Sequence, residues 1–346
     1  MTPASTPEEV RERVRAGGLP PDPGPLVVML SGGRDSVCLL DVAVALRAPG
    51  SVHALHVNYG LRPEADGDER HCRELCRQLG VELAVVHPDR HEPRDGNVQA
   101  WAREVRYREA DRLADKLGST AAAEAAIAAG HTASDQVETI LYRLAASPGR
   151  RALLGMAARE GRLVRPLLEL TREETADYCR ARGLPWREDA SNDDERYARA
   201  RVRNRVVPAL RAVHPAAEAN VLRTAALLRA EGELLDELVQ AELGGAGELG
   251  GAGELGVSAG ELGVSAGERS IAVERLQSLP GALQRLIVVR LAEDAAGTFV
   301  PQAGARLQEI LVLARRGGRA ELHVGGLVGA VIEGGRLRMV KLPPRV

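Results

Sequence analysis

Short apolar runs alternate with amphipathic stretches over the first 145 residues. Leu26 to Leu30 (LVVML) has the length and valine content of a buried strand. Val37 to Ala48 changes rhythm and suits a helix packed on a sheet. SVHALHVNYG (51–60) predicts a second strand with a polar end at Asn58-Tyr59, and GDERHCRELCRQLG (67–80) a helix closed by Gly80. VELAVVHP (81–88) predicts a third strand, and NVQAWAREVRYREADRLADKLG (97–118) a long amphipathic helix, again ended by glycine. AAIAAGHTASDQVETILYRLA (125–145) reads as strand, turn and helix. This alternation predicts an α/β fold with a doubly wound parallel sheet. Ligands of such sheets sit at the carboxyl ends of the strands. Ser31–Ser36, Asn58 and the stretch from Gly130 through His131 to Asp135 all fall there.

The remaining pattern divides the chain further. Residues 1–23 read as an N-terminal extension, 24–205 as the α/β domain that holds the strand-end turns and 206–242 as a helical linker rich in Ala, Leu and Glu. In 243–268 a short Ala-Gly-Glu-Leu-Gly unit repeats, and 10 of the 26 residues are glycine. Such a segment cannot offset its ordering entropy and is expected to be a flexible insertion. Residues 269–346 predict a small α+β domain. Its helices are VERLQSLPGALQRLIVVRLAED and PQAGARLQEILVLAR, followed by short strands with Gly-Gly turns.

Composition is that of a soluble chain: 346 residues, 45% hydrophobic, 27% charged, net charge −2. No stretch reaches membrane-span length and the N-terminus has no apolar signal core, so a cytoplasmic protein without a membrane partner is expected. Cys38, Cys72, Cys76 and Cys179 include no CxxC, which argues for reduced thiols and against a zinc or iron–sulfur site. Charge is uneven. Residues 143–211 hold 16 arginines against 10 acids, and 271–346 hold 11 basic against 6 acidic residues. Arg199, Arg201, Arg203 and Arg205 cannot share one helical face. They read either as a solvated basic helix or as a patch for a nucleic-acid backbone.

The residues between the first strand and helix are Ser31-Gly32-Gly33-Arg34-Asp35-Ser36. Two glycines admit close approach of the backbone, and a helix N-terminus offers unpaired N–H groups and a positive dipole end. The turn reads as a phosphate or pyrophosphate cradle, or as an ordinary capped βα turn. Neither Gly-Lys-Ser/Thr nor GxGxxG is present, so an anion loop here differs from the two commonest kinds. Asp135 and Glu138 lie three apart at a helix start, on one face; helix capping explains such a pair as well as chemistry does. With Asp35 they would repel a phosphate unless a cation such as Mg²⁺ intervened. Arg103 and Arg106, beside Tyr107, share a helix face, either for surface ion pairing or for a ligand. Asp189, Ser191 and Asn192 form a polar knot after Trp186.

SGGRDS resembles the SGGxDS loop of ATP pyrophosphatases, which split ATP between its α and β phosphates. With GHTASDQVET, QAWAREVRY, LVRPLL, WREDASN and ARVRNRVVP, residues 24–212 resemble the tRNA(Ile)-lysidine synthases. That resemblance implies ATP and Mg²⁺ as cofactors. It implies free L-lysine and tRNA(Ile) with a CAU anticodon as partners, and is compatible with a homodimer. In such enzymes ATP adenylates carbon 2 of the wobble cytidine, and the ε-amine of lysine displaces AMP. By resemblance Ser31, Gly32, Gly33, Arg34, Asp35, Ser36, Asn58, Gly130 and His131 bind ATP, and Asp35 holds Mg²⁺. Asp35, Asp135, Glu138, Arg103 and Arg203 are catalytic, with Asp135 or Glu138 orienting and deprotonating the amine. Arg106, Tyr107, Arg143, Asp189, Ser191, Asn192 and Arg199 meet the tRNA or substrate, and the C-terminal domain binds tRNA. The family usually has Asp where Ser134 stands, often His at Thr132 and commonly Asn at Ala200. The rival readings are a tRNA thiolase with the same loop, and a non-catalytic nucleotide-binding regulator.

Overall fold

The computed structural model describes residues 5–19, 24–88, 98–118, 123–146, 149–188, 194–248 and 269–343. The chain forms two compact units, 1–228 and 229–346.

The first unit opens with α1 (Pro7–Ala16), then β1 (Leu26–Met29), α2 (Arg34–Leu46), β2 (Val52–Val57), α3 (Ala65–Leu79), β3 (Glu82–Val86), α4 (Val98–Gly118), β4 (Ala126–Ala128) and α5 (Ala133–Ala146). It continues with α6 (Arg150–Leu153), β5 (Arg159–Glu160), β6 (Leu163–Val164), α7 (Arg172–Ala181), α8 (Ala198–Arg201), a π-helical turn (Val202–Val206) and α9 (Val207–Val213). The long α10 (Ala217–Glu248) follows. The strands form one sheet in the order β3-β2-β1-β4-β6-β5, parallel throughout except for the β5 edge. Strand order therefore reverses between β1 and β4, the point where a doubly wound sheet opens a crevice.

Alternation along the strands explains both layers. Leu26, Val28, Ala54 and Ala128 pack with α1, α2, α3 and α7. Val27, Met29, Leu55 and Ile127 pack with Val105, Ala110 and Ala114 of α4. The doubly wound α/β expectation is borne out. The expected N-terminal extension is instead part of this core. Thr6 and Glu9 close a capping box at the start of α1, and Val10 and Val14 are fully buried.

In the second unit β7 (Ser270–Ala272), β8 (Ala320–Gly325), β9 (Val328–Glu333) and β10 (Arg336–Lys341) form an antiparallel sheet in the order β7-β10-β9-β8. It packs with α11 (Val273–Ser278), α12 (Gly281–Ala296) and α13 (Leu307–Arg316) around Ile271, Ile287, Leu291 and Leu337. The single helix expected at 273–294 is two, divided at Pro280, whose ring cannot continue a helix from its interior. The helix expected from Pro301 opens as a 3-10 segment, Pro301–Arg306. Helix α10 extends to Glu248, into the stretch expected to be flexible, with Val239 and Leu243 buried. The rest of that stretch lies outside the described residues.

Candidate functional site

Two neighbouring strand-to-helix turns build the site. In the first, Gly32 has φ of +85°, and a Cβ there would lie 3.3 Å from Cys72 Sγ. Ser31 N–H donates to Ser36 Oγ (3.2 Å), and the Ser36 hydroxyl donates to Gly33 O (2.8 Å), which pins the loop. Gly33 is the N-cap of α2, and no side chain caps that helix. The leading N–H groups of the first turn are left for a ligand. Ser31, Gly33, Arg34, Asp35 and Ser36 line a cleft of about 620 Å³ together with Asn58, Gly130, His131 and Asp135. Gly130, two residues past β4, lies so close to α2 that a Cβ would meet the Asp35 carbonyl carbon at 3.1 Å and Ser36 N at 3.2 Å. Glycine at that position lets the two turns share one cleft.

The second turn is electrostatically the reverse. Thr132 N–H and hydroxyl donate to Asp135 Oδ2 (2.9 and 2.8 Å), and Asp135 N–H donates to Thr132 Oγ1 (3.3 Å). This is a capping box, so the capping reading holds for one oxygen of Asp135. The other, Oδ1, accepts from Arg172 (3.0 Å) and Arg199 (3.4 Å). Burial pushes the Asp135 carboxyl up, but Arg199, Arg172 and Thr132 outweigh it and hold it below the ordinary range. Glu138 is 2% exposed. Its Oε1 accepts from Arg172 (3.1 Å) and Arg203 (2.7 Å), its Oε2 from Arg203 (3.0 Å) and Arg199 (3.3 Å). Glu138 is therefore saturated by arginines.

Asp35 joins the two turns. Thr175 of α7 donates to its Oδ1 at 2.5 Å, while Arg172 Nε stands 3.9 Å from Oδ2, beyond hydrogen-bond reach. Burial raises the Asp35 carboxyl, and the neighbouring Asp135 charge adds to the rise against Thr175 and Arg172. An underused oxygen at the cleft suits a Mg²⁺ ion held by one or two carboxylates and phosphate oxygens. Asp35 Oδ2 fits that donor set, whereas both oxygens of Asp135 are already taken by Thr132, Arg172 and Arg199. Among the described residues no cluster of three His, Cys, Asp or Glu could hold a metal without such help.

Around the cleft, Asn58 is buried and donates to Asp66 (3.1 Å) and Glu69 (2.9 Å). The buried Nδ1 of His131 has no hydrogen-bond partner, and burial pushes this imidazole down to about 4, so it is neutral. Arg106 donates to Tyr59 Oη at 3.3 Å and lines the cleft with Tyr107. Arg103 is exposed and lies over the Tyr107 ring at 4.7 Å. Arg143 is not brought to the cleft; its guanidinium donates to Gly155 O at 2.5 Å. Asp189, Ser191 and Asn192 lie outside the described residues.

The basic run splits by partner. Arg201 donates to the carbonyls of Glu195 and Arg196, and Arg205 pairs with Glu195, whereas Arg199 and Arg203 turn to the acids of α5. The π turn that carries Arg203 changes the helical phase between them. Two further arginines, Arg172 and Arg187, line the cleft without having stood out in the sequence. Arg172 hydrogen-bonds Asp135 and Glu138 and stands 3.9 Å from Asp35, and its backbone N–H donates to Ser134 Oγ (3.2 Å). Arg187 lines the cleft, and its N–H donates to Gly32 O at 2.9 Å.

A glycine loop and an uncapped helix at the β1/β4 crossover define a PP-loop domain, and the PP-loop domain family matches residues 9–210. Within that class the similarity is specific. A tRNA(Ile)-lysidine synthase from Salinispora tropica is 42% identical over 234 residues, 65% of this chain and 68% of that protein. The one from Salinispora arenicola is 37% identical over 314 residues, 86% of this chain and 90% of that protein. Against the Pseudomonas fluorescens enzyme identity is 38%, and the chain spans 48% of that longer protein. This chain belongs to the tRNA(Ile)-lysidine synthase family, as its motifs suggested. Among solved structures, a U34-tRNA thiolase from Methanococcus maripaludis with its [4Fe-4S] cluster has a TM-score of 0.51 at 16% identity. That likeness covers 64% of this chain and 78% of the thiolase, and is one of fold alone.

Proposed function

We propose that the chain joins free L-lysine to carbon 2 of the wobble cytidine of tRNA(Ile) bearing CAU, consuming ATP and releasing AMP and pyrophosphate. The observation that carries this is the meeting of the open loop and the acid cluster in one cleft, with Arg172 reaching Asp35, Asp135 and Glu138. In the first step the cytidine O2 attacks the α-phosphorus. The β,γ-pyrophosphate leaves on the N–H groups of the 31–36 loop, which stabilise the charge it gains. Arg34, Asn58, Gly130 and the neutral His131 hold the nucleotide. Asp35 would hold Mg²⁺, which when bound would neutralise phosphate charge.

In the second step the lysine ε-amine attacks C2 and the C2–O bond to AMP breaks. The amine must first lose a proton, its free pKa being about 10.4. Asp135, held below the ordinary carboxylate range, orients the ammonium electrostatically and is a weak proton acceptor. Arg103 and Arg203 meet the adenylated cytidine, and Arg106, Tyr107 and Arg199 the adjoining tRNA. The second unit, with Arg315 and Arg316 exposed at the end of α13, supplies a further tRNA surface.

The thiolase reading is less supported. All four cysteines are free and buried, and burial pushes the Cys72 and Cys76 thiols up to about 12. Among the described residues no helix is long and apolar enough to cross a membrane. The test is incubation with ATP, lysine and a CAU-bearing tRNA(Ile). Pyrophosphate release that needs tRNA, and a lysidine mass in the digested anticodon only when lysine is added, is the expected result. Pyrophosphate without tRNA, or a sulfur-bearing nucleoside, would overturn the proposal.

A further inference from the structure

The hydrogen bonds to Asp135 and Glu138 leave no room for an incoming amine. An ionised carboxylate offers about four lone-pair positions. Those of Asp135 are taken by Thr132 N–H, the Thr132 hydroxyl, Arg172 and Arg199. Those of Glu138 are taken by Arg172, Arg199 and Arg203, the last through two nitrogens. Charge tells the same story. Asp35, Asp135 and Glu138 are offset by Arg172, Arg199 and Arg203, so an arriving ammonium meets a neutral cluster.

One arginine has to give way, and the three are held unequally. Arg203 grips Glu138 at 2.7 and 3.0 Å. Arg172 bonds at 3.0 and 3.1 Å, has a side chain only 19% exposed, and its backbone is tied to Ser134. Arg199 makes its contacts to Asp135, Glu138 and Thr139 at 3.3 to 3.4 Å, and its side chain is 41% exposed. It stands on the four-residue α8, just before the π turn.

We infer that Arg199 is a displaceable internal cation, occupying Asp135 and Glu138 until the amino group of the substrate takes its place. Its release frees a lone pair on Asp135 Oδ1 and one on Glu138 Oε2 and restores the charge balance that the ammonium upsets. The released guanidinium reaches solvent, where phosphates of the bound tRNA can accept it. Arg199 thus couples amine entry to tRNA binding. This rests on the lysidine-forming reading above.

Steady-state lysidine formation in R199Q and R199K tests it. An internal competitor held by contacts this weak and exposed contributes a modest energy, so its removal lowers the KM for lysine by roughly two- to fivefold. In R199Q the KM for lysine is expected to fall by that factor while the KM for tRNA rises. R199K, which keeps the charge, is expected to stay near the wild-type KM for lysine. A KM for lysine in R199Q that is unchanged or raised would overturn the inference, because a residue that merely binds lysine or supports the fold gives that result. If the wild-type chain forms no lysidine, both readings fall. If it does and the KM fails to drop, only this one falls.

Discussion

The turns after β1 and β4 are neighbours with the same strand-to-helix topology and opposite chemistry. After β1 the N-cap is Gly33, no side chain caps α2, and the helix start is open to an anion. After β4 the N-cap position holds Thr132, the capping box closes with Asp135, and the acids behind it are filled by arginines. The difference shows how little is needed to turn a βα unit from an anion cradle into an acid site. It takes the N-cap residue and the identity of the residue at the third helical position. Arg172 bridges the two environments, and its helix α7 is fixed by its own capping box, Thr171 to Glu174.

The strongest way to break the contrast is to empty the acid turn. Glu138→Ala leaves Arg172, Arg199 and Arg203 around a vacated, buried position. Breaking such a network is expected to cost about 3–5 kcal/mol, measured by urea unfolding. Next is to make the first turn resemble the second. The backbone at Gly33 (φ −76°, ψ 159°) accepts any residue, and a Cβ there meets nothing closer than Ser31 Oγ at 3.5 Å. Gly33→Asp should therefore fold, with stability within a few tenths of a kcal/mol of wild type. Its new carboxylate would cap α2 and repel phosphate. ATP affinity and pyrophosphate release are expected to drop by about a hundredfold or more.

The smallest effect is in pH dependence. His131 titrates at about 4 in the folded chain because it is buried, against roughly 6.5 when unfolded. Between those values the unfolded chain takes up a proton that the folded chain refuses. Stability contributed by the neutral ring is therefore present above pH ~6.5 and lost progressively toward pH ~4. Burial lowers His56 in the same direction, so His131→Asn is expected to flatten the slope of unfolding free energy in this window without abolishing it.

What the sequence made legible follows from the range of the interactions. Strands β1 to β4 stood out because each is an apolar run bounded by polar turns. Strands β5 and β6, of two residues each, are too short to leave a pattern, and β7, of three, has one apolar branched residue, Ile271, after the polar Arg269-Ser270. Helix α1 carried its capping box in plain view as Thr6-x-x-Glu9, yet its charged surface hid Val10 and Val14, which pack into the core.

In the site, Asp35, Asp135 and Glu138 were legible because local spacing puts them at strand ends. Arg172 was not, because TREE reads as an ordinary helix start and its contacts to the acids span 34 and 37 residues of chain. The role of Arg199 and Arg203 against Glu138 was equally hidden. Local charge showed a basic run but not which members turn inward.

The most direct measurement of the central claim is a crystal structure with a non-hydrolysable ATP analogue. The β and γ phosphates are expected within hydrogen-bond distance of the backbone N–H groups between Gly32 and Ser36, with Asp135 opening on the same cleft. A triphosphate lying away from that loop, with the N–H groups of α2 untouched, would contradict it.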